Sequence, residues 1–217
     1  LLFCAIMTKD LLRIHGCDSV KEKINLRRNC CNKEFGLMKR IFETKRLVLR
    51  AWEDYDAESL YEYAKDPNVG PPAGWPVHKS VEDSLQIIHN VLSAPMTYAV
   101  CLKINGKAIG SVGLFKTTQT KVKEAVEELE VGYWIGVPFW GQGLIPEAVR
   151  ILEKYAFEEL GQAGLWCSYN EGNEKSRKCM EKCGFRYDHT EMTKAYAMGE
   201  KEETVCYEHL TKDEWMN

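Results

Sequence analysis

The sequence predicts a domain of the α/β (α+β) class built on one mixed sheet. Two apolar segments, YAVCLKI and KAIGSVGLF, flank Asn105-Gly106 and predict a hairpin, because this dipeptide favours the left-handed positions of a type I′ turn. The stretch 128–182 then follows the order strand, helix, strand, helix, which predicts a parallel strand pair around one helix. Two more strand-like segments, FRYDHTEM and TVCYEHL, come near the end of the chain.

Length and charge limit the classes of protein that the chain can represent. Its 217 residues suit one domain or one domain with an appendage, and the formal net charge of −3 disfavours nucleic acid as a partner. The apolar opening LLFCAIM is too short to span a membrane and lacks the features of a signal peptide. We expect a cytoplasmic monomer or homodimer that has no membrane partner.

Cysteine usage also favours the cytoplasm. The nine cysteines are spread through a chain of ordinary hydrophobic content, which predicts reduced thiols instead of a disulfide framework. Cys179 and Cys183 have helical spacing, but no histidine or second cysteine pair stands at zinc-finger spacing from them. We therefore predict no metal.

The composition changes near residue 38. Residues 1–37 combine four cysteines with a polar, mostly basic run, KEKINLRRN, and show weak periodicity. Residues 38–217 show clear strand and helix patterns. We predict an N-terminal extension over 1–37 and a single domain over 38–217.

The first half of the domain alternates between strands and helices. RLVLR at 46–50 has strand alternation, and DAESLYEYAKD predicts a helix that ends before Pro67. NVGPPAGWP is rich in turn formers and predicts a loop. A second helix is expected over 80–92, with Ser80 as its N-cap.

The second half contains the most informative stretch, FWGQGLIPEAV at 139–149. It follows the strand ELEVGYWIG, and apolar residues recur at helical spacing from Pro146 to a capping Gly161. GLWCSY then predicts a short strand and NEKSRKCMEKCG a short helix. Gly141 and Gly143 allow the backbone close to a ligand, and the unpaired N–H groups of the helix start favour an anion such as a phosphate. The alternative is a plain tight turn.

Several motifs in order resemble the GNAT acetyltransferase superfamily, in the branch of ribosomal-protein N-terminal acetyltransferases. They begin at Glu43 and run ETKRLVLR, DAESLYEYAKDPNV, INGKAIGSVGL, ELEVGYWI, WGQGLIPEA, KCGF and CYEHLTKDEW. The resemblance implies the GNAT fold, a mixed central sheet of about seven strands with flanking helices. Two parallel strands of that sheet splay apart around acetyl-CoA.

The resemblance also implies a donor site for acetyl-CoA. The pyrophosphate is expected on the turn, pantetheine along the preceding strand, and an N-x-x-S element at the pantetheine arm or thiol end. The cofactor-binding residues implied are Ile135, Gly136, Val137, Trp140, Gly141, Gln142, Gly143, Leu144, Ile145, Asn173 and Ser176. Trp140 and Ile145 depart from the usual Q/R-x-x-G-x-G/A turn, and Pro146 removes one N–H group.

For catalysis, the resemblance assigns Glu130 as general base, acting through a water. The alternative is a solvated strand charge, and alternation puts Glu128 on the same face, so either carboxylate could serve. Many GNAT enzymes have a proton-donating tyrosine where this chain has Met180, so Ser176 or a water is the expected acid. Tyr133 and Trp75 are predicted on the acceptor side, although Trp75 could equally be a core anchor.

The predicted function is therefore acetyl-CoA-dependent acetylation of a primary amine, on a protein N-terminus or a small molecule, by direct attack in a ternary complex. The alternative is a non-catalytic acyl-CoA-binding regulatory module, suggested by Met180, Ile145 and the extension. The histidines are predicted to be solvated or core residues without a nucleophilic or metal role, namely His78, His89, His189 and His209.

Overall fold

The computed structural model describes residues 40–117, 128–195 and 201–217. The predicted extension over 1–37 lies outside this part of the chain, as does the domain start at 38. What is described contains one eight-stranded mixed sheet in the order β1-β2-β3-β4-β5-β6-β8-β7. The strands are β1 Phe42–Glu43, β2 Leu47–Arg50, β3 Thr97–Leu102, β4 Ala108–Lys116, β5 Leu129–Ile135, β6 Gly164–Asn170, β7 Arg186–Ala195 and β8 Lys201–Thr211.

The pairing of the strands confirms the class predicted from the sequence. β5 and β6 are parallel, and every other neighbouring pair in the sheet is antiparallel. The sheet has eight strands where about seven were predicted, because β1 adds a two-residue strand along β2. A strand of that length is too short to show alternation, so periodicity could not reveal it.

The hairpin between β3 and β4 is confirmed, but its predicted turn type is wrong. Gly106 has a φ of 72°, whereas Asn105 does not have the positive φ that a type I′ turn requires. The N–H groups of both residues donate to the Leu102 carbonyl, and the Leu102 N–H donates to Lys107 O. The loop therefore spans four residues with one left-handed position, at its glycine.

Five α-helices flank the sheet in the described residues: α1 Ala57–Ala64, α2 Val81–Ile87, α3 Leu144–Lys154, α4 Glu174–Glu181 and α5 Lys212–Met216. Ser80 caps α2 as predicted, since its side chain accepts a hydrogen bond from the Asp83 N–H. α2 and α3 each continue into a π-helical turn, over Ile88–Leu92 and Tyr155–Glu159 respectively. α3 begins at Leu144, two residues before the predicted start at Pro146.

The two faces of β5 meet different layers of the fold. Tyr133 points to α4, where its hydroxyl contacts Ser176, whereas the neighbouring Trp134 packs against Trp75 of the connection between α1 and α2. Alternate residues of β5 thus face opposite sides of the sheet, as a period of two requires. Glu130 shares the face of Trp134.

Glu153 of α3 has a buried carboxyl group in the core. The residue is 1% exposed, and its Oε1 has no hydrogen-bond partner within the described residues. Burial raises its pKa to about 8, although the charge of Arg150 offsets part of this effect. A carboxyl whose pKa is higher in the folded state adds stability below its unfolded pKa, and that stability is lost as the pH rises through the folded value.

We expect Glu153→Gln to become progressively more stable than the wild type between pH 5 and pH 9, because glutamine never ionises. The difference should grow by several kcal/mol, at about 1.4 kcal/mol for each pH unit between pH 5 and the folded pKa of Glu153. Urea midpoints measured at several pH values test this. Glu158→Gln, an exposed change one turn further along, is the control. Parallel stability curves for wild type and Glu153→Gln would contradict the prediction.

Candidate active site

The site is a cleft that opens where the two parallel strands part. β5 and β6 are paired only at Leu129↔Leu165, Glu130↔Trp166 and Val131↔Cys167. Beyond Val131, β5 continues along β4 and β6 continues along β8. The gap leads into a cavity of about 950 Å³ that reaches from Glu130 to the start of α3. The splayed pair predicted from the sequence is therefore confirmed.

The turn before α3 closes one end of the cleft. Gly141 and Gly143 both line it and have φ values of 74° and 72°, in the left-handed region that favours glycine. Gly143 is also the N-cap of α3, so the first N–H groups of this helix lack intrahelical acceptors. This geometry suits a phosphate group, because those donors and the positive end of the helix dipole face the same space.

A carboxylate of α3 ties this turn to the N-terminal strands. Glu147 accepts hydrogen bonds from Thr44 Oγ1 at 2.6 Å, from Arg46 N at 2.8 Å and from Arg46 Nε at 2.7 Å. Arg46 Nη1 also donates to Gln142 O at 2.9 Å. Burial alone would raise the pKa of Glu147, but these bonds lower it below its ordinary value. Gln142 is thereby held in the turn, although it does not line the cleft.

Lysines add positive charge along one side of the cleft. Lys175, Lys178 and Lys182 lie in or just after α4 and all line the cavity. Lys175 Nζ lies 3.6 Å from the centroid of the Trp140 ring, a cation–π contact. Sequence reasoning missed these lysines, and their spacing of three and four residues on a predicted helix was the available signal.

At the end of β5, before the turn, some backbone groups form hydrogen bonds within the protein and others face the gap. The Gly136 N–H donates to Ile109 O, and the Gly136 and Val137 carbonyls accept from Phe139 N and Trp140 N. Neither Gly136 nor Val137 lines the cleft. The register with β4 instead turns the backbone of Tyr133 and Ile135 toward the gap. Trp140 Nε1 already donates to Ile135 O at 3.0 Å.

Two acidic residues, Glu130 of β5 and Glu128 just before that strand, have different surroundings. Glu130 lines the cleft, is 1% exposed, and accepts a hydrogen bond from Ser168 Oγ at 2.5 Å. Glu128 does not line the cleft and accepts from Trp166 Nε1 at 2.5 Å, with His209 Nε2 3.0 Å away. Of the two carboxylates, Glu130 alone is therefore placed to meet a ligand in the cleft.

The two residues predicted at the thiol end of the donor, Asn173 and Ser176, lie across the gap at the start of α4. Asn173 Oδ1 accepts from the Ser176 N–H at 3.2 Å, which is an N-cap bond, and both residues line the cleft. The hydroxyls of Ser176 and Tyr133 lie 2.6 Å apart. Burial raises the pKa of the Tyr133 phenol well above its ordinary value, so this hydroxyl stays protonated. The Tyr133 side chain therefore points toward α4 and the predicted thiol end, whereas Glu130 lies on the opposite face of the sheet.

Met180 does not reach the cleft. Its side chain is fully buried, while the cleft is lined on either side of it by Cys179 and Lys182. The position expected to hold a proton-donating tyrosine in many relatives is thus a core position in this chain. Ser176 is the hydroxyl of α4 that lines the cleft.

The loop between α1 and α2 forms part of the cleft wall. Asn68, Val69, Pro72 and Ala73 line the cleft, whereas Trp75 is 7% exposed and does not. Trp75 packs edge-on against Trp134. The structure thus places Trp75 as a core anchor behind the loop, and its predicted contact with the acceptor stays a prediction.

Each of the four histidines in the described residues has a polar partner, and only that of His189 is its neighbour in the sequence. His78 is buried beside Ser84, and burial lowers its pKa. His89 contacts Asp54, His189 contacts Asp188, and His209 contacts Glu128.

Within the described residues, no group of three or more His, Cys, Asp or Glu side chains could hold a metal ion. The five described cysteines, Cys101, Cys167, Cys179, Cys183 and Cys206, are free thiols.

The sheet, its parted parallel strands and the helix-start turn together define the class of an acetyltransferase fold. An acetyltransferase (GNAT family) from Bacillus anthracis has a similar structure, with a TM-score of 0.68 and 21% identity over 80% of this chain and 99% of that one. A family model for the acetyltransferase (GNAT) domain matches residues 46–186. The chain therefore belongs to the GNAT acetyltransferase family, whose members transfer an acetyl group from acetyl-CoA to an amine.

Two proteins of Bacillus subtilis (strain 168) are similar in sequence. The first, "Putative ribosomal N-acetyltransferase YdaF", is 36% identical over 114 residues, which are 52% of this chain and 59% of that protein. The second, "Uncharacterized N-acetyltransferase YoaA", is 25% identical over 172 residues, which are 77% of this chain and 94% of that protein. In the part of the chain that the structure covers, no helix is long and apolar enough to cross a membrane.

Proposed function

We propose that this chain binds acetyl-CoA in the cleft between β5 and β6 and transfers the acetyl group to a primary amine by direct attack in a ternary complex. The observation that carries this proposal is the parting of the two strands after Val131. It joins the phosphate-type turn at Gly141 and Gly143 to the buried carboxylate of Glu130 in one continuous cavity.

The donor half of the cleft fits an extended anionic molecule. The turn and the start of α3 would meet the pyrophosphate through backbone donors, and Lys175 adds a positive charge beside Trp140. The backbone groups of Tyr133 and Ile135 that face the gap would bond the pantetheine amides, much as an added strand would. Asn173 and Ser176 then lie toward the thioester.

The chemistry requires a neutral amine and a leaving thiolate. The amine nitrogen attacks the thioester carbonyl carbon, the C–S bond breaks, and its electron pair goes to sulfur. Glu130 accepts the proton that the nitrogen loses, directly or through one water. Ser176, whose hydroxyl contacts Tyr133, donates a hydrogen bond to the sulfur, or passes it a proton and is reprotonated by water. A thiol has a reference pKa of ~8.5, so a weak acid is sufficient here.

Binding of the donor is tested first by thermal or urea unfolding. Because the turn and helix start offer preorganised donors, acetyl-CoA should stabilise the fold by ~2.7 kcal/mol at a hundredfold excess over its Kd. Free pantetheine, which lacks the pyrophosphate, is the matched ligand control and should stabilise far less. An unfolding curve that does not move with millimolar acetyl-CoA would refute the proposed donor site.

Transfer is tested separately, by release of free thiol in the presence of an amine panel. The panel should contain peptides with free N-termini, polyamines, amino acids and an aminoglycoside, because the name of YdaF points to ribosomal proteins while the cleft walls do not select one amine. Donor binding without thiol release for any amine would favour the regulatory module. The buried position of Met180 is the observation that favours that second function.

A further inference from the structure

The buried position of Glu130 raises a question that the family resemblance does not answer. A base must be ionised to accept a proton, yet burial disfavours the charged form of a carboxyl. We propose that Ser168 is the positioning residue that keeps the Glu130 carboxylate ionised and aimed into the cleft. This inference rests on the proposed function, since it concerns the base of that reaction.

The geometry of the pair supports this role. Ser168 Oγ lies 2.5 Å from Glu130 Oε1, the range of short bonds between a hydroxyl and a charged oxygen. An ionised carboxylate can only accept, so the serine hydroxyl must donate and its hydrogen is committed to Glu130. Both residues line the cleft.

Ser168 occupies the point on β6 where the strands begin to part. Cys167 is the last residue of β6 that pairs with β5, opposite Val131, and Ser168 follows it directly. On its other side Ser168 pairs with Tyr207 of β8, which keeps its backbone in the sheet. The donor is therefore held by the rigid strand beside the base, so it can fix one carboxylate oxygen while the other part of the carboxyl faces the ligand.

The strands around Glu130 carry several other titratable side chains. β4 contributes Phe115 opposite Glu130, and the titratable groups nearby include Glu128 just before β5, Cys167 of β6, Tyr207 and His209 of β8, and His189 and Glu191 of β7. Burial raises the pKa of both Cys167 and Tyr207, and the charge of Glu130 raises them further, so both stay neutral. At this buried position a committed hydrogen-bond donor favours the charged form of the Glu130 carboxyl.

In the reaction, Ser168 keeps its own proton. Glu130 takes one proton from the attacking nitrogen and becomes a carboxylic acid, and that proton leaves to solvent before the next turnover. Removing the Ser168 hydroxyl should therefore make ionisation of the base harder without removing the base. The expected signature is a change in the pH at which activity appears, which a purely structural serine would not produce.

The test is the pH profile of kcat/KM for Ser168→Ala. The acid limb of this profile is the pH range over which kcat/KM rises as Glu130 ionises. In Ser168→Ala it should shift to higher pH by about 1 unit, because hydrogen bonds to charged groups contribute this order of stabilisation. Activity below the shifted limb should fall up to about tenfold, the equivalent of 1 pH unit, and recover at higher pH. Ser168→Thr retains the hydroxyl, so its acid limb should lie at the wild-type pH. Ser111→Ala, which removes another buried sheet serine that bonds Trp52 and the Tyr98 carbonyl, should leave the limb in place.

A double variant separates a role through Glu130 from a general effect of losing the Ser168 hydroxyl. In a Glu130→Gln background, loss of the Ser168 hydroxyl should cause no further drop in rate, because the two residues act as one unit. An active wild type with superimposable profiles for Ser168→Ala and wild type would overturn the inference. A wild type that releases no thiol with any amine would instead refute the proposed function.

Discussion

Replacing Glu130 by Gln is expected to lower kcat/KM about 10²-fold while leaving acetyl-CoA affinity nearly unchanged, since a positioned general base typically contributes at least about 10²-fold. Glutamine keeps the size of the side chain and can still accept from Ser168 Oγ, but it cannot take a proton from the amine. Initial rates of thiol release, with acetyl-CoA affinity measured by calorimetry, separate the loss of catalysis from a loss of binding.

The pH dependence identifies the role of Glu130. The loss should shrink as the pH rises toward the pKa of the amine, because a neutral amine no longer needs a base. A loss that is constant across pH would assign Glu130 to binding the ammonium form of the acceptor. Glu128→Gln is the matched control, since Glu128 lies on the same strand face but outside the cleft. If Glu128→Gln lost activity and Glu130→Gln did not, the base would be Glu128.

Gly143→Val is expected to weaken acetyl-CoA binding by about 10- to 100-fold, the cost of one or two hydrogen bonds to a charged group. Gly143 has a φ of 72°, and a Cβ there would meet only Arg46 Nη2, at 3.9 Å. Space is therefore not the obstacle. The left-handed conformation is unfavourable for a β-branched residue, so the turn must rearrange and its N–H groups will no longer converge on the pyrophosphate.

Gly161→Val separates this effect from general destabilisation. Gly161 has a φ of 68° and follows the π-helical turn after α3, and a Cβ at this position would have no heavy atom of the described residues within 4 Å. It does not line the cleft. Both variants should lose stability in urea, but only Gly143→Val should lose acetyl-CoA affinity in calorimetry. Equal affinities in the two folded variants would place the pyrophosphate elsewhere.

Local sequence patterns were sufficient for the features that depend on neighbouring residues. The parallel strands on either side of α3, the helix start after two glycines and the N-cap at Ser80 all follow from periodicity or from one side chain bonding a nearby N–H. The same patterns placed Glu128 and Glu130 on one face of a strand. They could not choose between the two, because alternation treats both positions alike.

Tertiary structure made that choice, through partners that are distant in the chain. Ser168 lies 38 residues after Glu130, and the order β6-β8-β7 brings His209 to Glu128 across 81 residues. The bond from Thr44 to Glu147 joins residues 103 apart. Periodicity reports which face of an element is buried but not which element covers it. The sequence alone therefore determined the fold class and the helix-start turn, whereas sheet order decided which carboxylate faces the cleft and which serine supports it.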